Sequence, residues 1–295
     1  MTSAYVPTAE FTDSATLVAD GDAADTTNLN LGAKKALDRC AMLRAATDGL
    51  LVWNGRARVD SGGANNAAFK VYCPAIEAVS LLDGTTWKAF ALASETELTS
   101  AFHFASGTLA NSTVYYVYAY VSAGVLALQV SLDPPGADGI WKTSATGTHR
   151  YLFAFVTDSS GVAIPMSRSS GGVYRFRISS VGVTPLTALS GGSATSFTNV
   201  SLSTLIPTTA RVATLYTVCT NASTTAHGQA QFRTDGDTGG YIEQGVGVAD
   251  AGNDYRGVQV FPLEVSSSRI IEYRRNNSSG YASITVSIYV LGYEE

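Results

Sequence analysis

The sequence predicts a mainly β protein, with antiparallel β-sandwich or jelly-roll-like domains, an N-terminal extended arm and one short α-helix. Along most of the chain, short segments of alternating apolar and polar residues are separated by explicit turn sequences, such as DSGG at 60–63 and DSSG at 158–161. Strands at short, regular spacing with no helix between them are typical of a sandwich rather than of a parallel sheet. The pattern therefore favours antiparallel strands packed in layers.

The charge balance narrows the classes of partner. Charged residues make up 15% of the 295 residues, the net charge is −5 and the pI is about 5.2. A general nucleic-acid binder or a protein of anionic membrane surfaces needs a basic surface, so we expect neither partner. A low charge also weakens the repulsion between copies of a protein, which favours an oligomer.

The N-terminal region, residues 1–48, is predicted to be an arm followed by a short helix. Residues 1–30 have no sustained period, so we expect them to order only against a partner surface. The stretch LGAKKALDRCAMLRA at 31–45 has apolar residues three and four positions apart, but it is barely two heptads long and must pack on something. The predicted docking and oligomerisation residues are Ala33, Ala36, Leu37, Cys40 and Leu43.

Residues 49–183 are predicted to form a first β domain. The apolar stretch 113–132 is long enough to cross a membrane, but its tyrosines and its Ser-Ala-Gly centre favour a hairpin of Val114–Val121 and Val125–Leu132. We therefore expect no membrane insertion. The stripe of tyrosines at 116, 118 and 120 could stack on sugars, although packing in a core or an interface is the favoured interpretation.

A second β domain is predicted over residues 197–295. The segment TPLTALSGGSATS at 184–196 is rich in Pro, Gly and Ser, and we interpret it as the linker between the domains. The alternating runs Arg269–Arg275 and Ala282–Tyr293, on either side of NNSSG, predict a terminal hairpin.

Catalytic and metal-binding signatures are absent from the sequence. The three histidines and three cysteines have no zinc spacing, and there is no nucleophile elbow, phosphate-binding loop or dinucleotide fingerprint. Asp235 and Asp237 in DGDTGG resemble part of a calcium loop, but the closing Glu is missing and a turn is favoured. We expect no enzyme activity, no catalytic residue, no metal and no cofactor.

Several stretches resemble virion proteins of tailed bacteriophages and prophages, of the tail-fibre-like kind. They are VYYVYAYVSAGVLALQVSLDPPGADGIWKTSATGTHRYLFAFVTDSSGVAIPM at 114–166, the N-terminal DGDAADTTNLNLGAKKALDR, and SLSTLIPTTARVATL at 201–215 with the closing ITVSIYVLGYEE. All of them are patterns of packing residues rather than of catalytic ones. The resemblance therefore indicates a class of protein and carries no family active site to this chain.

The resemblance implies a tail-fibre or receptor-binding component of a virion. Such a protein would dock on other virion proteins through residues 1–46, form a homotrimer, and present its β domains to a host surface glycan or receptor. Loops on a rigid β scaffold are where recognition usually lies. The candidate contacts at the tip are Asp235, Asp237, Tyr255, Arg274, Arg275 and Tyr281.

Two other functions remain open at the level of the sequence. A capsid decoration or head-fibre protein would share the same N-terminal arm but dock on the shell. A glycan-degrading tail enzyme would need two carboxylates or a Ser-His pair in a groove. The N-terminal sequence lacks a basic region followed by an apolar run, so we expect no signal peptide. Together with the resemblance, this implies a component of the virion that is made in the bacterial host cytoplasm.

Overall fold

The structure, a computed structural model, describes residues 51–54, 57–62, 68–98, 109–145, 147–169, 172–176, 186–250, 253–276 and 278–295. Within these ranges the chain is all β, which confirms the predicted fold class. Across the same ranges, no helix has the length and apolarity that a membrane crossing requires. The predicted arm and helix, with Ala33, Ala36, Leu37, Cys40 and Leu43, lie outside the described residues.

The described strands are numbered in chain order. They are β1 (Leu51–Asn54), β2 (Arg58–Gly62), β3 (Ala68–Cys73), β4 (Ala75–Asp83), β5 (Thr86–Leu92), β6 (Thr96–Leu98), β7 (Val114–Ser122), β8 (Val125–Ser131), β9 (His149–Val156), β10 (Met166–Arg168), β11 (Val173–Phe176), β12 (Leu186–Gly192), β13 (Thr198–Ser201), β14 (Val212–Asn221), β15 (Gly228–Thr234), β16 (Ile242–Val246), β17 (Tyr255–Glu264), β18 (Ile270–Arg275) and β19 (Ile284–Glu294).

The strands form four sheets. The largest has the order β17-β14-β19-β11-β10-β2-β3-β6, and β12 also pairs with β19. A four-stranded sheet has the order β13-β18-β15-β16, and two three-stranded sheets have the orders β1-β4-β5 and β8-β7-β9. The strand pairs within these sheets are antiparallel, as the short turns between neighbouring strands predict.

The predicted hairpin in the tyrosine-rich stretch is confirmed. Strands β7 and β8 pair from Ser122 opposite Val125, with Ala123 and Gly124 between them. Both turn residues have positive φ, 50° and 77°. Two left-handed residues in a two-residue loop match the right-handed twist of the flanking strands, so this short sequence fixes the turn.

Strand β19 joins the two predicted domains. It pairs with β14 along one side, while its other side pairs with β12 and, further along, with β11. Strand β12 lies inside the predicted linker, so residues 186–192 are part of a sheet and not a break. Two register irregularities in the β12–β19 pairing accommodate the Gly- and Ser-rich sequence that suggested a linker.

The prediction of a terminal hairpin is wrong. Strand β18 lies between β13 and β15 in the four-stranded sheet, whereas β19 lies in the large sheet. The connection between them spans 276–283 and passes from one layer of the sandwich to the other. Both edges of β18 are already paired, and the connection exceeds the usual length of a hairpin loop, so the two strands do not pair.

The two layers enclose an apolar core that follows from the alternation in their strands. Every second residue of β14 from Ala213 to Asn221 is buried. Leu215 and Cys219 of β14, Val286 and Ile288 of β19, and Phe232 of β15 have no exposed surface. Burying a side chain of this size stabilises the fold by about 1.5–3 kcal/mol.

A buried amide closes the sandwich where β16 meets β17. Gln244 is 4% exposed, and its Nε2 donates to the carbonyl of Gly257 at 3.0 Å. Its Oε1 accepts from the Thr217 hydroxyl at 2.6 Å. Because a buried amide without partners would be costly, this side chain selects one arrangement of the two sheet edges.

A carboxyl group connects the large sheet to the sheet that contains β9. Glu295 Oε2 accepts from the Tyr174 hydroxyl at 2.6 Å, and Oε1 accepts from Thr209 Oγ1 at 2.5 Å and from the Tyr151 hydroxyl. The neighbouring Tyr293 stacks on Tyr174 with centroids 4.3 Å apart. Burial raises the pKa of the Glu295 carboxyl, and the three hydroxyl donors lower it by less.

We expect Gly292→Ala to lower the free energy of unfolding by about 3 kcal/mol. A Cβ at Gly292 would collide with the backbone carbonyl of Tyr174, where β11 approaches β19. Strand β11 cannot retreat without breaking the stack of Tyr174 on Tyr293. Urea denaturation measures the loss. Gly245→Ala is the matched control, since its Cβ would meet nothing within 4 Å; equal effects of the two changes would contradict this account of Gly292.

We expect wild type to lose stability relative to Glu295→Gln as the pH rises from 4.5, the ordinary pKa of Glu. Above that pH the unfolded chain releases its proton while the folded carboxyl, with its raised pKa, still holds one. The unfolding free energy of wild type minus that of Glu295→Gln should fall by at most about 1.4 kcal/mol per pH unit, up to the pKa of the carboxyl in the folded state. Urea denaturation of both proteins at each pH measures it, and a difference that grows in favour of wild type over this range would contradict the prediction.

Candidate binding face of the four-stranded sheet

The outer face of the four-stranded sheet is polar because of an alternation in β15. In GQAQFRT, Ala230 and Phe232 are buried against the core. Gln229, Gln231 and Arg233 occupy the alternate positions and therefore lie on the opposite face of the strand. The same strand thus contributes to the core and to a polar surface.

Gln231 is the centre of a hydrogen-bond network across three strands. Arg274 of β18 donates through Nε to Gln231 Oε1 at 2.6 Å, and Gln231 Nε2 donates to Glu243 Oε1 of β16 at 2.8 Å. Both partners lie directly opposite Gln231 in the strand pairing. The network fixes which end of the amide faces which neighbour, so these side chains are held in place before any ligand arrives.

An aromatic ring lies against two guanidinium groups on the same face. The Cζ atoms of Arg233 and Arg274 lie 3.7 Å and 4.4 Å from the centroid of the Phe197 ring. Arg233 Nε also donates to Glu272 Oε2 at 2.6 Å. The stacking and the ion pair both restrict the arginine rotamers, which adds rigidity to the face.

A cavity of about 420 Å³ opens on this face beside the network. We call it the polar pocket. Tyr241 and Tyr281 are 50% and 40% exposed at its wall. The surface that the pocket exposes is almost wholly polar, so a polyhydroxylated ligand would be bound there mainly through hydrogen bonds to its hydroxyls, with the two tyrosine rings at the edge. The lining residues are Thr195, Gln229, Gln231, Tyr241, Glu243, Arg274, Arg275, Asn276, Ser278 and Tyr281.

Three of the six predicted tip contacts lie together in the polar pocket: Arg274, Arg275 and Tyr281. Arg275 is anchored by Nη1, which donates to the carbonyl of Ile284 at 3.3 Å. Their closeness follows from their short separation in the sequence, at the end of β18 and in the connection to β19. Contact of these residues with a host molecule stays a prediction.

The other three predicted contacts lie elsewhere. Asp235 and Asp237 belong to the turn between β15 and β16, at the opposite end of β15 from Gln229. There Gly239 N donates to Asp237 Oδ1 at 2.7 Å, so this carboxylate stabilises its own turn. Tyr255 begins β17 and is 49% exposed, outside the polar pocket.

Sequence reasoning missed most of the polar pocket. Gln229, Gln231, Tyr241 and Glu243 were not predicted, although the alternation in GQAQFRT marks the first two as lying on one face. Nothing local in the sequence reveals that Tyr241 and Glu243 lie beside them. That neighbourhood depends on the register in which β15 pairs with β16.

The histidine and the two cysteines described next are packed against other side chains of the fold. His149 stacks on Tyr120 with centroids 4.9 Å apart, and burial followed by the charge of Lys142 lowers its pKa. Cys73 and Cys219 are buried free thiols, and burial raises the pKa of Cys219 to about 12. Among the described residues, no group of His, Cys, Asp and Glu side chains is placed to hold a metal ion.

Two tyrosines of the stripe and one tryptophan belong to the core, while Tyr120 and Trp87 are half-buried. Tyr116 and Tyr118 are 3% and 0% exposed, and Trp141 is 7% exposed. Trp87 and Trp141 pack against each other with centroids 5.7 Å apart. Tyr116, Tyr118 and Trp141 are thus unavailable for sugar stacking, whereas Tyr241 and Tyr281 are exposed beside fixed polar groups.

Comparisons with known proteins do not indicate a function for the chain. No protein-family model matches the chain, and no curated protein matches it either. We therefore infer a function from the geometry of the polar pocket and from the patterns in the sequence.

Proposed function

We propose that the chain is a non-enzymatic structural protein of a bacteriophage virion, a tail-fibre or receptor-binding component that attaches to a host surface glycan. Its N-terminal residues 1–46 dock on other virion proteins, and its β domains project toward the host. The observation that carries the attachment role is the polar pocket. The resemblance of the sequence to virion proteins supports the setting.

The polar pocket has the properties of a site for a glycan. The network of Arg274, Gln231 and Glu243 spans three strands, so binding does not need to order these side chains. Such preorganisation reduces the entropic cost of binding. Tyr241 and Tyr281 add exposed ring surface next to the network. Arg274, with a second arginine beside it, makes the pocket compatible with acidic as well as neutral sugars.

The polar pocket favours attachment over the two alternatives. A shell-decorating protein has no need of a preorganised pocket on a rigid sheet face. A glycan-degrading enzyme that acts through paired carboxylates needs two of them, and Glu243 is the one carboxylate among the residues that line the polar pocket. Glu243 is also held by Gln231 as part of the network.

We expect Tyr281→Ser to weaken binding of the full chain to bacterial surface polysaccharides about tenfold. Losing one stacking ring costs on the order of 1.4 kcal/mol, which corresponds to that factor. An array of capsular and lipopolysaccharide glycans identifies the polysaccharide that wild type binds, and a titration with it gives the affinities. Tyr255→Ser is the matched control, since Tyr255 is similarly exposed but outside the polar pocket. Equal affinities for wild type and Tyr281→Ser would refute the role of the pocket.

The proposal includes a homotrimer, for which the outer face of the large sheet offers a contact surface. Val258 and Val260 of β17 are 56% and 55% exposed. Across the strands they lie on the same face as Tyr216 and Tyr289, whose ring centroids are 5.6 Å apart. We call these four residues the outer apolar face. Apolar side chains on consecutive strands of an exposed face favour association of copies of a weakly charged chain.

We expect light scattering after size exclusion to give the wild-type chain a mass near three times 30.8 kDa. The double change Val258→Lys with Val260→Lys should bring the mass close to that of one chain, because lysines on facing copies repel each other and lose hydration. Val125→Lys is the control, since Val125 is 63% exposed at the tip of the β7–β8 hairpin. A monomeric wild type would overturn the trimer, and a trimeric double variant would exclude the outer apolar face as its contact.

A further inference from the structure

A second and larger cavity lies where the two predicted domains meet. Its volume is about 740 Å³, within the range of ligand-binding pockets. Its walls come from the loop that precedes β9, from β9 and β10, and from the segments before β14 and after β17. We call it the arginine cavity. Its lining residues include Asp138, Arg150, Arg168, Arg211, Ser267 and Glu295.

Arg150 of β9 is the unusual group of the arginine cavity. The residue is 9% exposed, and its buried Nε and Nη1 have no hydrogen-bond partner. Its neighbour is the ring of Trp141, whose centroid lies 5.5 Å from the Arg150 Cζ atom. A stacked ring does not replace the acceptors that a buried guanidinium needs, so part of the cost of burying this charge is uncompensated.

Two half-buried arginines, Arg269 and Arg275, show how a partly enclosed guanidinium is compensated in this protein. Arg269 and Arg275 also have a buried Nε without a partner. Each of them nevertheless donates through Nη1 to a backbone carbonyl, Ser203 at 2.6 Å for Arg269 and Ile284 at 3.3 Å for Arg275. Arg150 has no such anchor at Nη1. Nε and Nη1 of Arg150 are themselves enclosed, so a ligand in the cavity would act on the charge of the guanidinium as a whole and not on these two nitrogens.

The carboxylates near Arg150 are engaged with other groups. Asp138 Oδ1 accepts from the backbone N–H groups of Ile140 and Trp141 at 2.8 Å and 3.2 Å. Glu295 is held by three hydroxyl groups, and burial raises its pKa. Burial also lowers the pKa of Arg150 to about 10, against the opposing effect of the Asp138 charge, so the guanidinium remains charged at neutral pH.

Further positive charge surrounds the arginine cavity. Arg211, whose side chain is exposed, lines one wall. Arg168 lines another and donates through Nε to the Tyr174 hydroxyl at 2.8 Å. Hydroxyl side chains, among them Thr143 and Ser267, and small residues complete the lining. The cavity therefore offers three arginines and neutral polar groups beside the carboxylate of Asp138, and it has room for more than one water molecule.

We propose that the arginine cavity binds a small carboxylate-bearing sugar, with the carboxylate against the Arg150 guanidinium. The charge of the guanidinium is delocalised over its three nitrogens, so an oxyanion that contacts the group compensates it as a whole. Arg211 adds long-range attraction, and the hydroxyl groups of the lining bind those of the sugar. This site is separate from the polar pocket and does not depend on the proposed function.

The test uses the full chain with sodium glucuronate and, as a matched neutral sugar, glucose. Calorimetric titration should show binding of glucuronate and at least tenfold weaker binding of glucose. Glucuronate should also raise the melting temperature of wild type, because a ligand that binds the folded state stabilises it. A glucuronate-containing oligosaccharide is titrated in parallel. Tighter binding of the oligosaccharide indicates that the natural ligand is a unit of a polymer, and tighter binding of glucuronate indicates a free acid.

Arg150→Met removes the charge and keeps a similar length. We expect it to reduce the glucuronate affinity at least tenfold without lowering the melting temperature of the unliganded protein, since an uncompensated buried charge is removed. Arg211→Gln, at an exposed position, should weaken glucuronate binding severalfold. This variant tests the proposal if Arg150→Met does not fold. Arg256→Gln on exposed β17 is the control and should bind glucuronate as wild type does.

Two results would overturn the proposal. One is a wild type that does not distinguish glucuronate from glucose. The other is an undiminished glucuronate affinity in Arg150→Met or, where that variant does not fold, in Arg211→Gln. Because Arg150 and Arg211 lie outside the polar pocket, a loss of glucuronate binding in their variants is distinguishable from a failure of glycan attachment through that pocket.

Discussion

The pairing of β19 on both sides is the constraint on which the described structure depends. One side of this strand is occupied by β14 over its whole length, and the other side is shared by β12 and β11. The register of β19 on β14 shifts between Thr214 and Leu215, so that Leu291 is an extra residue in β19. This bulge lies where the pairing changes from β12 to β11. Before the bulge every second residue from Ile284 to Val290 is buried. After it the neighbours Gly292 and Tyr293 are both buried, so the large buried side chain moves to an odd-numbered position.

The positions of both proposed binding sites follow from that arrangement. Beyond the bulge, Tyr293 and Glu295 contact β9 and β11, and this brings the segment before β14 and the loop before β9 around one cavity. Before the bulge, β19 belongs to the sandwich and leaves β18 in the opposite layer. The connection from β18 to β19 then crosses the end of the sandwich, which places Arg275 and Tyr281 beside the network of Gln231.

The sequence predicts local features well and long-range ones poorly. The β7–β8 hairpin was predictable because its turn and its alternation lie within twenty residues, and the fold class because alternation recurs along the chain. The terminal hairpin was wrong because both strands carry a clear pattern that does not reveal their partners. Similarly, Arg274, Arg275 and Tyr281 could be predicted as a group because they are neighbours in the sequence. The surroundings of Tyr241 depend on strand register, and those of Arg150 depend on the packing of segments that are distant in the sequence.

The two sites differ in how they would generate affinity. In the polar pocket the charged groups already have partners, so a ligand gains from exposed rings and from donors fixed in advance, and little energy is stored in the empty site. In the arginine cavity the energy lies in Arg150, whose burial is uncompensated until an anion arrives. A sugar without a carboxylate leaves that cost in place, while a carboxylate removes it. The first arrangement discriminates by shape and the second by charge, because an unsatisfied buried guanidinium makes the neutral analogue the poorer ligand.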